Sequence, residues 1–134
     1  MSWWKTLLGG VLGGLAMMLV DFVAHGVILA DTYRRYPDVF EQEDGGPMWF
    51  TLICVLIGVA LAILFAKTRR SWAGGLAGGA AFGFLAGGVQ FFTNFFDALV
   101  YDGFPYYLAW CHGTIDLIAF TVAGAVLGLT IKGQ

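Results

Sequence analysis

A handful of polar side chains in an otherwise apolar chain carries whatever chemistry this sequence can do. Asp21 and His25 stand four residues apart, His112 and Asp116 repeat that spacing in reverse order, and Gln90, Asn94 and Asp97 cluster between them. Each lies in or beside a long run of aliphatic, aromatic and small residues. In water such groups are ordinary, but a charged side chain at the centre of a bilayer costs about 2.5–3.5 kcal/mol, and intramembrane ionisable groups are functional candidates for that reason. Carboxylates beside imidazoles can hold a proton, a cation or a small polar ligand. Taken as metal ligands, His25, His112, Asp21 and Asp116 form a nitrogen and oxygen set suited to a divalent metal such as zinc, manganese or ferrous iron. A carboxylate next to a histidine also orients the ring on a metal. Against a di-iron bundle, there is no Glu-x-x-His and no Glu in the apolar runs. His25 and His112 are alternatively axial ligands for a haem-type tetrapyrrole. The same residues can also be satisfied without any ligand: each Asp/His pair by a hydrogen bond across one helical turn, and Gln90 and Asn94 as links between helices.

The elements that position these groups follow from composition. The chain has 134 residues, of which 59% are hydrophobic and 12% charged, with a mean hydropathy of +0.78. Soluble domains have about 45–50% apolar and about 25% charged residues. A soluble enzyme, a disordered chain and a nucleic-acid binder are excluded, the last because a net charge of −2 offers no basic footprint for phosphate backbones. An integral membrane protein with the bilayer as its first partner remains. Cys54 and Cys111 are too isolated for a disulfide framework or a redox pair, and read as small apolar side chains.

A bilayer core requires about 20 apolar residues per helix. Four such stretches are expected at about 6–29, 48–66, 73–98 and 106–131, giving one all-α domain, a bundle of four transmembrane helices. The first is too long for a signal peptide and contains Asp21 and His25. Lys5, Lys67, Arg69, Arg70 and Lys132 fall on one side of the membrane, and only Arg34 and Arg35 on the other. That bias places both termini in the cytoplasm and the acidic loop 31–47 outside. Trp3, Trp4 and Trp72 then form the inner aromatic belt; Tyr33, Tyr36, Trp49, Tyr101, Tyr106, Tyr107 and Trp110 form the outer one. Within the loop, Tyr33, Tyr36, Val39 and Phe40 suit a short interfacial helix interrupted by Pro37, with Gly45 and Gly46 ending the loop before Pro47.

Small residues mark the inward faces. Gly10 and Gly14 in the first span, Gly75, Gly79, Gly83 and Gly87 in the third, and Ala109, Ala119 and Ala123 in the fourth recur at helical spacing. Asp21 and His25 fall on the Gly10 arc, Gln90, Asn94 and Asp97 on the Gly75 arc, and His112 and Asp116 on the alanine face. Antiparallel spans convert the reversed order of the two Asp/His pairs into matched depth, each His about 6 Å nearer the outside than its Asp. Thr51 and Cys54 of the second span reach the same level. The result is a polar cup facing outward above an apolar inner half. The runs GGVLGG at 9–14 and GGLAGG at 74–79, with Pro47 and Pro105 opening the even spans, hint at two parallel helical hairpins as an internal repeat.

The pattern Asp21-x-x-x-His25-Gly-Val-Ile-Leu-x-Asp31-x-Tyr33, with Gly83-Phe-Leu, Phe104-Pro-Tyr and Asp116-Leu-Ile, resembles a group of small four-span bacterial membrane proteins of unknown function. The resemblance implies a bacterial inner-membrane location and no particular activity. Two function classes follow. One is a protein that binds or conducts a proton, cation or small ligand at Asp21, His25, Gln90, Asn94, Asp97, His112 and Asp116. The other is a non-catalytic accessory subunit, packing as a homo-oligomer or in a larger membrane complex.

Overall fold

The computed structural model describes residues 2–40 and 47–132, and every regular element among them is helical. Helix α1 (Trp3–Asp21) runs on through a π turn (Phe22–Ile28) to a short α2 (Ala30–Arg34). Helix α3 (Pro47–Thr68) closes in a 3-10 turn (Arg69–Ser71), and α4 (Gly75–Thr93), α5 (Phe95–Val100) and α6 (Tyr106–Thr130) follow. Among the described residues four stretches are long and apolar enough to cross a membrane: Trp3–Ile28, Met48–Ser71, Gly75–Val100 and Tyr106–Thr130. They coincide with the expected spans, differing most where the 3-10 turn carries the second on to Ser71. The short loop helix forms earlier than expected, at Ala30–Arg34, and Pro37 follows it in a turn. The expected loop end at Gly45 and Gly46 lies outside the described residues.

The packing order is α3 on α1, α1 on α6 and α6 on α4, with α3 and α4 meeting through Phe65 and Phe82, whose ring centroids are 5.1 Å apart. Lipid gives helices no hydrophobic reason to associate, so close backbone approach has to supply the contact. Glycine permits that approach twice. Gly10 and Gly14 of α1 face Gly58 of α3, and a Cβ on any of the three would run into partner backbone. Gly79 and Gly83 of α4 face Gly124 and Gly128 of α6 in the same way. Between these crossings Gly13 seats against Ala123 and Leu127, joining the two pairs.

Two features of the ridges differ from the sequence reading. Gly75 joins the α4 ridge through its backbone, which lies against Gly128, while its own glycine requirement comes from φ +69° at the helix start, where a side chain would meet nothing. The facing surface of α6 is built from Gly124 and Gly128 as much as from Ala119 and Ala123. Around the crossings the core holds Met17, Leu61, Phe65, Phe82 and Leu127, all buried. Leu19, Phe22, Leu85, Val89 and Phe92 stand exposed on the outer faces, a surface suited to acyl chains. Lys5, Lys67, Arg69, Arg70 and Lys132 gather at one end of the bundle, the basic end. The polar cluster lies toward the other, the loop end.

Candidate polar site

The site begins with a break in helix geometry. From Phe22 to Ile28 the α1 chain takes a π turn, and the Leu29 amide donates to the Ala24 carbonyl five residues back at 2.9 Å. The wider turn changes the register. Met18 and Asp21 stay on the α3 side, where the Thr51 hydroxyl donates to Met18 Sδ at 2.9 Å and the Cys54 thiol to Asp21 Oδ2 at 3.6 Å. His25 turns instead toward α6. π turns inside α-helices recur at functional sites because they re-aim one side chain without ending the helix.

Past the π turn, α2 reverses the chain enough to bring Tyr33 back over His25. Its hydroxyl lies between two imidazoles, hydrogen-bonded to His25 Nδ1 on one side and to His112 Nε2, at 2.9 Å, on the other. The two histidine rings are 5.1 Å apart between centroids and cross at 70°. A phenol has one proton to give. It therefore donates to one ring and accepts from the other; because the bridge joins Nδ1 of His25 to Nε2 of His112, two neutral rings hold the same tautomer, both Nε2–H or both Nδ1–H. Burial pushes the Tyr33 phenol above its ordinary value of 10.0, so it stays protonated. Phe40 and Phe104 roof this triad: Phe40 lies 4.6 Å from the Tyr33 ring and 6.5 Å from His112, and Phe104 lies 6.0 Å from His112. Gly103, at φ +77°, makes the turn that delivers Phe104.

One turn further toward the basic end are the carboxylates. Asn94 sits at the break between α4 and α5; its amide donates to Asp116 Oδ2 at 2.7 Å and to the Gln90 carbonyl at 3.0 Å. The Gln90 side chain also reaches toward the Asp116 carboxyl. Asp21 is close enough to Asp116 for their charges to interact, and His25 close enough to both His112 and Asp116. The second Asp21 oxygen, Oδ1, is buried with no hydrogen-bond partner among the described residues. An unmet buried carboxyl oxygen costs about 1–3 kcal/mol or more, so Asp21 is where the cluster has unspent binding capacity. Asp97 stands apart in α5, near enough to His112 to act on it through charge.

The arrangement changes several expectations. Neither Asp21–His25 nor His112–Asp116 is hydrogen-bonded among the described residues; each partner bonds across to another element. Tyr33, expected in the outer aromatic belt, is drawn inside as the bridge. Phe40 and Phe104 stand edge-on to His112 toward the loop end of the cup, and both histidines remain half-buried. Among the described residues no three of His, Cys, Asp and Glu gather so as to hold a metal ion, the candidate set His25, His112, Asp21 and Asp116 included. A tetrapyrrole fits no better: an axial pair needs a flat macrocycle between its rings, and His25 and His112 have only the Tyr33 hydroxyl there. Tyr33 was the residue missed. Its signals in the sequence are its place eight residues after His25 and at the end of the Asp21-to-Tyr33 motif, and they become legible once the chain is known to fold back between them. The chain matches no family model, no curated protein and no solved structure, so its resemblance to small four-span bacterial membrane proteins rests on the short motifs alone.

Proposed function

We propose that this is a multi-pass protein of the bacterial inner membrane, with both termini in the cytoplasm, that takes up and exchanges a proton at His25, Tyr33 and His112. Asp21 and Asp116 beneath them are the seat of that proton's partner, a small cation or the polar group of a small ligand. The observation that carries this reading is the Tyr33 hydroxyl shared by two imidazoles. Such a bridge has two hydrogen-bond directions. A proton arriving on the outer nitrogen of one histidine lets that ring release the proton on its inner nitrogen to the phenol oxygen. The phenol at the same time passes its own proton to the other ring. The second ring, now protonated on both nitrogens, gives up the proton on its own outer nitrogen, so one proton enters and one leaves with no heavy atom moving by more than a hydrogen-bond adjustment.

The orientation is supported by the lysine and arginine bias, which puts the basic end in the cytoplasm and the polar cluster on the outer side. The buried apolar plug of Met17, Phe65, Phe82 and Leu127 supports a site served from the loop end over a path through the membrane. The tight α1/α3 and α4/α6 pairs fit two parallel hairpins related as a repeat.

Potentiometric titration of the full chain in lipid nanodiscs tests the reading. The wild type should bind more protons than His25→Ala with His112→Ala, and Tyr33→Phe should keep the proton count but narrow the transition, because linked rings titrate in two separated steps and unlinked rings do not. Identical curves for all three would overturn it.

A further inference from the structure

The basic end holds a second site. Between the start of α1, the 3-10 turn after α3 and the end of α6 lies a cleft of about 580 Å³, lined by Lys5, Lys67, Arg69, Arg70 and Lys132 together with the Thr6 and Thr130 side chains. Among the described residues the one ion pair is Arg34–Asp31, at the opposite end of the bundle. Asp21, Asp31, Asp38, Asp97, Asp102 and Asp116 all lie toward that loop end. Five cations therefore share one cleft with no carboxylate among the described residues to balance them, in a chain whose net charge is −2.

One of the five is held in place. Arg69 Nε donates to the Ile131 carbonyl at 3.2 Å, and its Nη1 to the Trp72 and Ala73 carbonyls at 2.9 and 3.2 Å, with the guanidinium over the Phe65 ring. Its Nη2 donates to no protein acceptor among the described residues. A guanidinium fixed this way presents its remaining donors in a set geometry, which favours a tetrahedral oxyanion. The flexible lysines and Arg70 add charge around it. The side of the cleft toward the bilayer is apolar, with Leu8 exposed beside Trp4.

We infer that this cleft binds a phosphate group, the headgroup of an anionic phospholipid whose acyl chains lie along α1 at Leu8. Like-charged side chains repel, a bound phosphate relieves that repulsion, and basic pockets between helices at a membrane surface take anionic headgroups for this reason. The inference uses none of the residues of the proton site and stands or falls apart from it.

Native mass spectrometry of the detergent-purified chain tests it, with phosphatidylglycerol, phosphatidylcholine or inorganic phosphate added. Phosphatidylglycerol should remain bound at about tenfold lower concentration than phosphatidylcholine. Lys67→Gln with Arg70→Gln should abolish that preference without lowering the melting temperature, since neither residue takes part in the Arg69 contacts. Arg34→Gln with Arg35→Gln, at the other end, should leave it intact. Saturation by inorganic phosphate alone would support the phosphate site and assign it to a free anion. Equal retention of the two lipids with no phosphate binding would overturn the inference, as would a preference unchanged in the Lys67/Arg70 variant.

Discussion

The half of the bundle near the basic end and the half near the loops are held together by different means. In the first, backbone meets backbone: Gly10 and Gly14 against Gly58, Gly79 and Gly83 against Gly124 and Gly128, with unbroken α-helix through both crossings. In the second, helices are interrupted at Phe22–Ile28 and at Asn94, and side chains bridge the spaces: Tyr33 between two histidines, Asn94 to Asp116, Cys54 to Asp21. The contrast assigns a role to each half. Contacts without side chains have no rotamers to lose and set the helix positions. The interrupted half, relieved of that task, can aim polar groups at one another. Regular glycine packing is the frame, and helix irregularity is what the frame makes affordable.

The comparison is broken most severely by filling a glycine crossing. Gly83→Leu should cost at least the about 1–3 kcal/mol typical of overpacking, because a Cβ there already overlaps the α6 backbone at Phe120 and Gly124. Gly88→Ala on the same helix should be neutral or stabilising by up to about 1 kcal/mol, since nothing lies within 4 Å of the added methyl. Thermal unfolding in detergent separates the two.

Next in size is Tyr33→Phe, which leaves two half-buried imidazole nitrogens without their shared partner and should cost about 1–2 kcal/mol in the same measurement. Helix packing at the basic end should be unaffected, as reported by cysteine cross-linking between positions 9 and 131. A smaller effect concerns alkali. The Tyr33 phenol is raised in the folded chain, so its contribution to stability is complete below pH 10.0 and is lost as pH climbs past that value, where the unfolded phenol ionises and the folded one does not. Melting temperature should therefore fall more steeply above pH 10.0 in the wild type than in Tyr33→Phe. The smallest change is Cys54→Ala. It removes one weak thiol bond to Asp21 and should cost under about 1 kcal/mol.

What the sequence disclosed divides along the same line. Spans, end charges and glycine ridges are periodic, and period is what a sequence displays directly. Gly79, Gly83 and Gly87 could be placed on one face by counting, as could Asn94 on that face. The counting fails at the π turn, because 100° per residue no longer holds from Phe22 to Ile28, and His25 leaves the arc it shares with Asp21 on paper. Tyr33 was misplaced for a related reason: a tyrosine just past an apolar run looks like a belt residue unless the reversal at α2 is known. Gly58, Gly124 and Gly128 carry no such signal, because a lone glycine or a well-spaced pair acquires meaning only from the ridge it faces.

The central claim is that His25 and His112 belong to one bonded unit through Tyr33. A double-mutant cycle on His25→Ala and His112→Ala, read by thermal stability in detergent, tests it directly. Loss of either ring removes the bridge, so the second substitution should cost less than it does alone, with a coupling of about 0.5–3 kcal/mol. Losses that add to within about 0.5 kcal/mol would contradict it, leaving two histidines that are neighbours without being partners.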